Sequence, residues 1–584
     1  MPDQSRQVPT PAPSDLPTCS ILLDGQAIAS TYQLMSVSVT KALNRISEAE
    51  IIFLDGSAAT ETFDVSNQPD FLPGRKLEVK AGYHQQEDTI FKGTIVKHAI
   101  RILQNDASVL MLTLKHDAFK MTMARTSRLF PSAKDSDAIE TILGDYSLTD
   151  SVEATQVTHE NLLQYYATDW DFVVMRAEQN GLVVINEDEK IAIKKPVIND
   201  ADLSLYFGSS LLEFEAEMDA RRSYTGFSVA SWNAADQEMK EETAGSVTIT
   251  EEGNVSADDN ASAISAPEMK VTYPGFLEDA EMTQLADALE LKRKLSKIKG
   301  RAKCIGIASI QPGSVVELNG VGDRFNGKAY VSGVSHSFTA GKWDTDIQFG
   351  LHFGTHADHF DNIAAHPAHG LLPAVNGLQP GVVTQLKDDP KGEDRVLVKL
   401  PNLSTSDDAV WARVATLDAG KERGSFFRPE IGDEVVVGFF NDDPRNAVIL
   451  GMMNSSKLPA PIQATDENPQ KGFVTREKMK LLFDDEKKII SIETPGGNKI
   501  TISDDDKGIT ILDQNNNKLQ LNDSGITMES QKDIQLKTSG GDVKIEGMNV
   551  EIKASVNLKA EGSAGASLKS SAITEVKGSM VNIN

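Results

Sequence analysis

The sequence predicts a mainly β protein with some α structure. Its expected parts are two related β-barrel modules, a small barrel of the OB type, and a C-terminal needle in which three copies of the chain form a triple-stranded β-helix. Three observations carry this. Short alternating apolar runs split by turns fill residues 21–119, a stretch near residue 72 is echoed near residue 311, and after Lys480 apolar residues arrive in pairs at a nearly fixed period. At 584 residues the chain is too long for one core, so several domains are expected.

Residues 1–17 are polar and Pro-rich and read as a disordered arm. They lack the basic and apolar regions of a signal peptide. From Ile21 to Phe119, runs such as "AEIIFLDG", "KLEVKAGY" and "VLMLTLKH" alternate as half-buried antiparallel strands do. "DSDAIETILGDY" predicts a helix with an acidic start. "DWDFVVMRAEQNGLVVINEDEKIAIKK" predicts a helix ended by Asn180-Gly181 and then a hairpin. Residues 237–267, acidic and poorly patterned, are expected to be a surface loop. Residues 278–299 carry the clearest helical pattern, with Leu285, Leu289, Leu291, Leu295 and Ile298 on one side. Acidic residues open that helix, basic residues close it and Gly300 follows.

The internal echo pairs "LPGRKLEVKAGYHQQEDTIFKGTIV" (72–96) with "QPGSVVELNGVGDRFNGKAYVSGV" (311–334). Each has a Pro-Gly turn, a strand with Glu between apolar residues (Glu78, Glu317), a Gly-bearing turn and a second strand. Two related β-barrels explain this; coincident turn chemistry is the alternative. The expected domains are the arm 1–17, a two-module region 18–370, a barrel 371–460, a linker 461–479 and a needle 480–584. Residues 371–460 hold about five strands, the size of an OB barrel.

In the last segment the paired residues include Ile526 and Met528, Ile534 and Leu536, Val543 and Ile545, Val550 and Ile552, and Val556 and Leu558. One intervening residue puts both members of a pair on one face of a strand. Early units are spaced nine or ten residues apart and later ones close to eight. A single-chain β-helix needs a longer coil to enclose its own core. An eight-residue unit gives each chain one apolar edge that other copies must bury, and three chains close a prism without lateral edges. No aromatic follows Phe483, as a narrow axis requires. About twelve layers at about 4.8 Å make a rod of roughly 55–60 Å. The needle core is assigned to Ile526, Met528, Ile534, Leu536, Val543, Ile545, Val550, Ile552 and Leu558. Met580, Val581, Asn582, Ile583 and Asn584, where strand edges end, are assigned to a tip contact.

With 58 basic and 85 acidic residues the net charge is −27, which argues against nucleic acid or an anionic membrane surface as a partner. Cys19 and Cys304 read as separate reduced thiols, consistent with assembly in a reducing cytoplasm. No apolar run is long enough to span a membrane. Five of ten histidines fall in "LHFGTHADHFDNIAAHPAHG". His352, His356 and His359 are weak metal candidates; a polar connector is the plainer reading, since no Cys joins them and no HExxH occurs. Asp504–Asp506 read as a solvated turn rather than a calcium site. No nucleophile elbow, P-loop or dinucleotide fingerprint appears, and no cofactor is expected. Residues 454–479 are too few for a catalytic domain, and nothing resembling a toxin follows the needle.

"VWARVATLDAGKERGSFFRPEIGDEVVVGFFNDDPRNAVILGMMNSSKLPAP" (410–461) resembles the OB segment of VgrG spike proteins. The shared positions are Trp411, Arg413, Val414, Gly424, Pro429, Gly432, Asp433, Glu434, Val435, Asp443-Pro444 and Leu450-Gly451. Trp411 is expected in the barrel core. "FLPGRKLEVKAGY", "DWDFVVMRAEQNGLVV" and "GVGDRFNGKAYVSGVSHSF" resemble the hub of that family and of phage baseplate proteins. The resemblance implies a homotrimeric, non-enzymatic spike of a contractile injection system, and the short linker looks more like the extracellular, phage-tail-like kind. It implies a hub beneath the inner tube, contacts to baseplate proteins, a PAAR-type protein on the tip, and purely mechanical passage through a target membrane. The resemblance also implies assembly in the bacterial cytoplasm and a place in a particle that can be released. A type VI secretion spike and a carbohydrate-active β-helix enzyme are the alternatives.

Overall fold

The computed structural model describes residues 16–583 except 103, 105–107 and 404–407. The expected arm therefore lies, apart from residues 16 and 17, outside the described residues. The chain divides into two compact units, one of residues 1–376 with 441–444 and one of residues 377–440 with 445–584.

In the first unit the alternating runs pair as expected. A thirteen-stranded sheet runs through Glu213–Met218, Ile298–Ile305, Lys342–Phe349, Gly327–Thr339, Leu34–Ala42, Glu48–Leu54, Val109–Lys115, Gln86–Arg101, Lys76–Tyr83, Thr18–Leu23 and Gln26–Ala27. Val315–Asn319 and Leu203–Tyr206 branch from Gly327–Thr339. Period-two burial is plain in Lys76–Tyr83, where Leu77, Val79 and Ala81 are buried and Glu78 and Lys80 are not. Two cores result. One gathers Val39, Ile51, Phe53, Phe71, Val79 and Leu112; the other gathers Leu205, Ala302, Cys304, Val316, Val331 and Phe349. They gather mainly around the two halves of the internal echo, but both belong to one sheet. Gly327–Thr339 pairs with Leu34–Ala42 from Gly333↔Ala42 to Thr339↔Ser36. Joining the modules this way satisfies two strand edges that separate barrels would have to close individually.

The internal echo is reproduced in the hydrogen bonds of both Pro-Gly turns. Gly74 N–H donates to Ile95 O and Gly313 N–H to Val331 O, both at 2.8 Å. Arg75 N–H donates to Leu72 O at 3.2 Å, and Ser314 N–H to Gln311 O at 3.1 Å. Both glycines have positive φ, 97° and 89°. A Cβ on Gly74 meets nothing within 4 Å, whereas one on Gly313 lies 2.6 Å from Ile185 Cδ1. Both Gly→Ala variants are therefore expected to lose about 1 kcal/mol to left-handed strain. Gly313→Ala should lose more, because Ile185 must move. Urea midpoints of the two variants, compared with the parent, check the order.

Lys41, only 2% exposed, fastens three elements. From the strand Leu34–Ala42 its Nζ donates to Asp188 Oδ1 at 3.2 Å and to Gln311 Oε1 at 3.0 Å, reaching the hairpin Val183–Lys194 and the second Pro-Gly turn. A lone buried ammonium would be costly, and the two acceptors offset that cost.

The helices form where the caps direct. α1 (Asp135–Asp145) and α2 (Asp169–Gln179) pack with the hairpin Val183–Lys194 around Ile139, Ile142, Val173, Val174 and Ile193. Thr168 Oγ1 accepts from Asp171 N–H to start α2, and Gly181 at φ 69° helps end it. The expected loop 237–267 instead contains a strand, Glu238–Thr243, and a helix, α3 (Ala257–Ala263). The strand survives its acidic composition by pairing with Phe227–Asn233. Ser256 and Asp259 cap α3 reciprocally, a short-range signal outweighed by the weak apolar pattern. α4 (Asp279–Ser296) buries Leu291 and Leu295 and half-buries Leu285 and Leu289; Ile298 already belongs to the next strand.

The cysteines are separate and free, and burial pushes both thiols up to about 12, so neither is a reactive thiolate. No helix among the described residues is long and apolar enough to cross a membrane.

In the second unit the strands Gln379–Gln385, Val396–Lys399, Val410–Val414, Ala447–Met452 and Glu434–Phe439 close a five-stranded barrel. Val383, Val398, Ala412, Val435, Val437 and Ile449 fill it. A seven-stranded antiparallel meander follows, beginning at Gln470–Val474 inside the expected linker.

Candidate functional site

The chemistry of this chain is concentrated in an apolar face that one copy leaves open. Six strands of five residues, from Lys480–Asp484 to Gly525–Glu529, pair in antiparallel register. Their i, i+2 apolar pairs align across strands: Ile490↔Ile502, Ile492↔Ile500, Ile502↔Ile509, Ile500↔Ile511, Ile511↔Leu519 and Leu521↔Ile526. The other face carries Ser491↔Thr501, Thr501↔Thr510 and Gln520↔Thr527. In a lone chain the apolar row is the exposed one, with Ile492 at 48% and Ile502 at 45%, while Ser491 and Ser503 are buried. That inverts the pattern of a self-sufficient sheet, and hydrophobic burial favours covering the row. Turns at Lys488, Lys507, Asn516 and Gly525 take positive φ and set the nine- to ten-residue spacing. Asp504–Asp506 lie in one of these exposed turns, where Asp506 N–H donates to Ser503 Oγ.

Strand pairing stops at Glu529. From 530 to 583 no described residue is in a strand and nearly every one is exposed, yet bends recur at 531–532, 539–541, 548, 555–556, 563–564, 571–572 and 579. This is the eight-residue period of the sequence expressed in the backbone. Ile526, Met528, Ile534, Leu536, Val543, Ile545, Val550, Ile552 and Leu558 are between 53% and 70% exposed. The expected needle thus has a self-paired part and a part with no intrachain ladder. The open face also begins earlier than the core assigned from Ile526; the same i, i+2 signal marks it back to Leu481 and Phe483. At the end Met580 and Ile583 are 79% and 90% exposed, Val581 and Asn582 are exposed too, and Asn584 lies outside the described residues.

The OB motif residues take defined places. Pro429 is buried, and Gly432, at φ 94°, donates its N–H to Val383 O at 2.8 Å. Asp433 Oδ2 accepts from Glu430 N–H, and Glu434 O accepts from Met453 N–H. Gly451 pairs with Val436. Arg413 is exposed. Trp411, expected in the core, is only half-buried and outside it: strand alternation turns Ala412 inward, and the Arg395 guanidinium lies 5.9 Å from the Trp411 ring.

The histidines are divided. His356 Nε2 contacts Asp171 Oδ1 at 2.8 Å within α5 (His356–His359), and its backbone N–H donates to Glu178. His352 and His359 face each other with ring centroids 6.1 Å apart, and His359 Nδ1 engages Thr355 O. No cluster of three or more metal-ligating groups occurs among the described residues.

Three family models match this chain. One described as the Alg8 N-terminal domain matches residues 13–340. The type VI secretion system/phage-baseplate injector OB domain matches 379–453, and the phage baseplate V C-terminal trimerisation domain matches 489–584. The type VI secretion system spike protein VgrG1b of Pseudomonas aeruginosa is 23% identical over 458 residues, which are 70% of this chain and 58% of the relative. VgrG1a of the same organism is 24% identical over 402 residues, 62% of this chain and 59% of the relative. The chain thus spans less than two thirds of the length of these curated relatives. Among solved structures, a 43 kDa tail protein of prophage MuSo2 from Shewanella oneidensis aligns with a TM-score of 0.43 at 8% identity, over 57% of this chain and 98% of that one.

Proposed function

The chain belongs to the Alg8 N-terminal domain family; from its matches to the injector OB domain and the baseplate trimerisation domain, together with the open apolar face, we propose that it is the central spike and hub of a contractile injection apparatus. Three copies join through the C-terminal segment. The modules of residues 18–370 sit at the baseplate end of the inner tube, and the tube's symmetry is adapted there to a three-fold needle. Sheath contraction supplies the force, and the needle passes through the target envelope mechanically, without bond-breaking chemistry of its own. Assembly takes place in the bacterial cytoplasm, and the extracellular, phage-tail-like kind of apparatus is the preferred setting over a type VI system.

The observation that carries this reading is the inverted meander, whose aligned isoleucines are uncovered in one copy. A second copy would leave a prism open; three close it. Met580–Asn584 are the proposed seat of a PAAR-type tip protein, which would cap the strand edges there.

Light scattering tests the assembly. The full chain is expected at three times its 63.4 kDa mass, and a chain ending at Pro461 at much lower association. A monodisperse full-length monomer would sink the proposal. Adding a PAAR-type protein to the full chain and to one ending at Ser579 tests the tip: only the full chain should bind.

A further inference from the structure

The barrel carries an arm that a single copy leaves uncovered. After Val410–Val414 the chain leaves the barrel wall and doubles into a short ribbon, Ala419–Gly420 against Arg423–Gly424, before it returns at Glu434–Phe439. Leu417 on this arm is 93% exposed and Phe426 75%. We propose that the arm, residues 415–428, is a clasp that seats Leu417 and Phe426 on a second copy of the chain, at the barrel end of the open apolar face. The proposal rests on the trimer reading above.

The arm is ordered without a partner. Ala415 N–H donates to Ile449 O at 2.9 Å, and Arg428 Nη1 donates to Leu386 O at 3.3 Å, so both ends are tied to the barrel. Within it, Ser425 N–H donates to Asp418 O at 2.9 Å, Asp418 N–H donates to Ser425 Oγ at 3.1 Å, and Arg423 pairs with Asp418 at 2.8 Å. A segment fixed in advance loses little freedom on docking.

Continuity decides what covers it. Phe427 stacks on Phe473, with ring centroids 5.1 Å apart and planes 14° from parallel. Phe473 lies opposite Leu481, Leu481 opposite Ile492, and Ile492 opposite Ile500. Directly opposite residues share a face of the sheet. Phe473 is therefore the first member of the open apolar face, and Phe427 carries that face onto the arm. Arg476 also pairs with Glu430 at 2.6 Å, which ties the arm's return to the first turn of the meander. A lone exposed apolar side chain is ordinary on a protein surface. Here three lie on one ordered arm that runs into a larger open face, the pattern of an interaction site. The match of residues 489–584 to a trimerisation domain makes another copy of this chain the occupant of that face, and the arm adjoins it.

The test uses the full chain. Leu417→Asp/Phe426→Asp should fold, since neither residue belongs to the barrel core. Its trimer should dissociate at about tenfold higher protein concentration or more, as loss of apolar anchors from an interface implies. Should that variant not fold, Leu417→Cys gives a second reading by maleimide labelling. Labelling should be slow in the otherwise unchanged chain and fast when Ile502→Asp is added. Cys19 and Cys304, whose thiols burial holds up at about 12, contribute little to the signal. A monomeric parent would end the trimer reading and the clasp with it. A trimeric parent whose stability the double substitution leaves unchanged, or whose Leu417→Cys labels equally fast in both backgrounds, would overturn the clasp alone and leave the arm to a different protein.

Discussion

Ile502→Asp is expected to abolish the trimer of the full chain at micromolar concentration, whereas Thr501→Asp, one residue away, leaves it intact. In a single copy Ile502 is 45% exposed, so a carboxylate there would cost a monomer almost nothing. Surface substitutions of that kind usually stay within about 0.5 kcal/mol. In a closed prism the same position recurs three times around one axis. Three unpaired carboxylates would then be desolvated beside one another, at a cost of several kcal/mol per ion on the order seen for buried charges. Thr501 lies on the opposite, polar row between Ser491 and Thr510, so its substitution adds a charge outside the joint. Sedimentation of both variants reads the answer. Equal trimer content would mean that the isoleucine row is not the joint.

Asp169→Ala is expected to cost the first unit about 3–5 kcal/mol, the range for removing one partner of a buried charged network. Asp169 is wholly buried at the start of α2. Its carboxylate accepts from Thr126 Oγ1 at 2.9 Å, Gln164 Nε2 at 2.7 Å, Tyr146 OH at 2.7 Å and Arg128 Nη2 at 3.1 Å. Burial, with the Asp169 hydrogen bond next, pushes the Tyr146 hydroxyl up to about 12, so it remains a donor throughout the working pH range. Removing the carboxylate takes the shared acceptor from Arg128 Nη2, Tyr146, Thr126 and Gln164 at once. Asp145 also pairs with Arg128 but is more than half exposed. Asp145→Ala should cost no more than about 1 kcal/mol. Urea unfolding followed by Trp170 fluorescence separates the two, and similar midpoints would show that the buried network contributes little.

Local signals carried most of the architecture. The Asn180-Gly181 stop, the twin Pro-Gly turns and the i, i+2 apolar pairs are each written within a few residues; the stop and the turns appear where the sequence placed them, and the pairs form strands as far as Glu529. The merging of two modules into one sheet was not legible. It depends on pairing between Ser36 and Thr339, and no local pattern encodes contact across such a separation. Trp411 misled for a related reason: a large aromatic suggests a core, while strand phase assigned that place to Ala412. The cavity of the first unit that gathers Arg221, Arg222, Arg293, Lys297 and Lys299 was the least legible feature. Its lining comes from 219–223, 257, 293–299 and 352–359, and no run of sequence announces it.

The end of hydrogen-bonded pairing at Glu529 has a consequence for biogenesis. The modules, the barrel and the meander each find their backbone partners within one polypeptide, so they can fold while the ribosome is still at work. Residues 530–583 form no ladder within one polypeptide, and in the trimer proposed above their partners would belong to other chains. For these residues ordering is a meeting of chains, and its speed rises with how many finished chains share the same volume. Dilute synthesis would therefore leave complete heads with unclosed tails. Closure of the proposed needle would then be the last step, and it would be governed by supply.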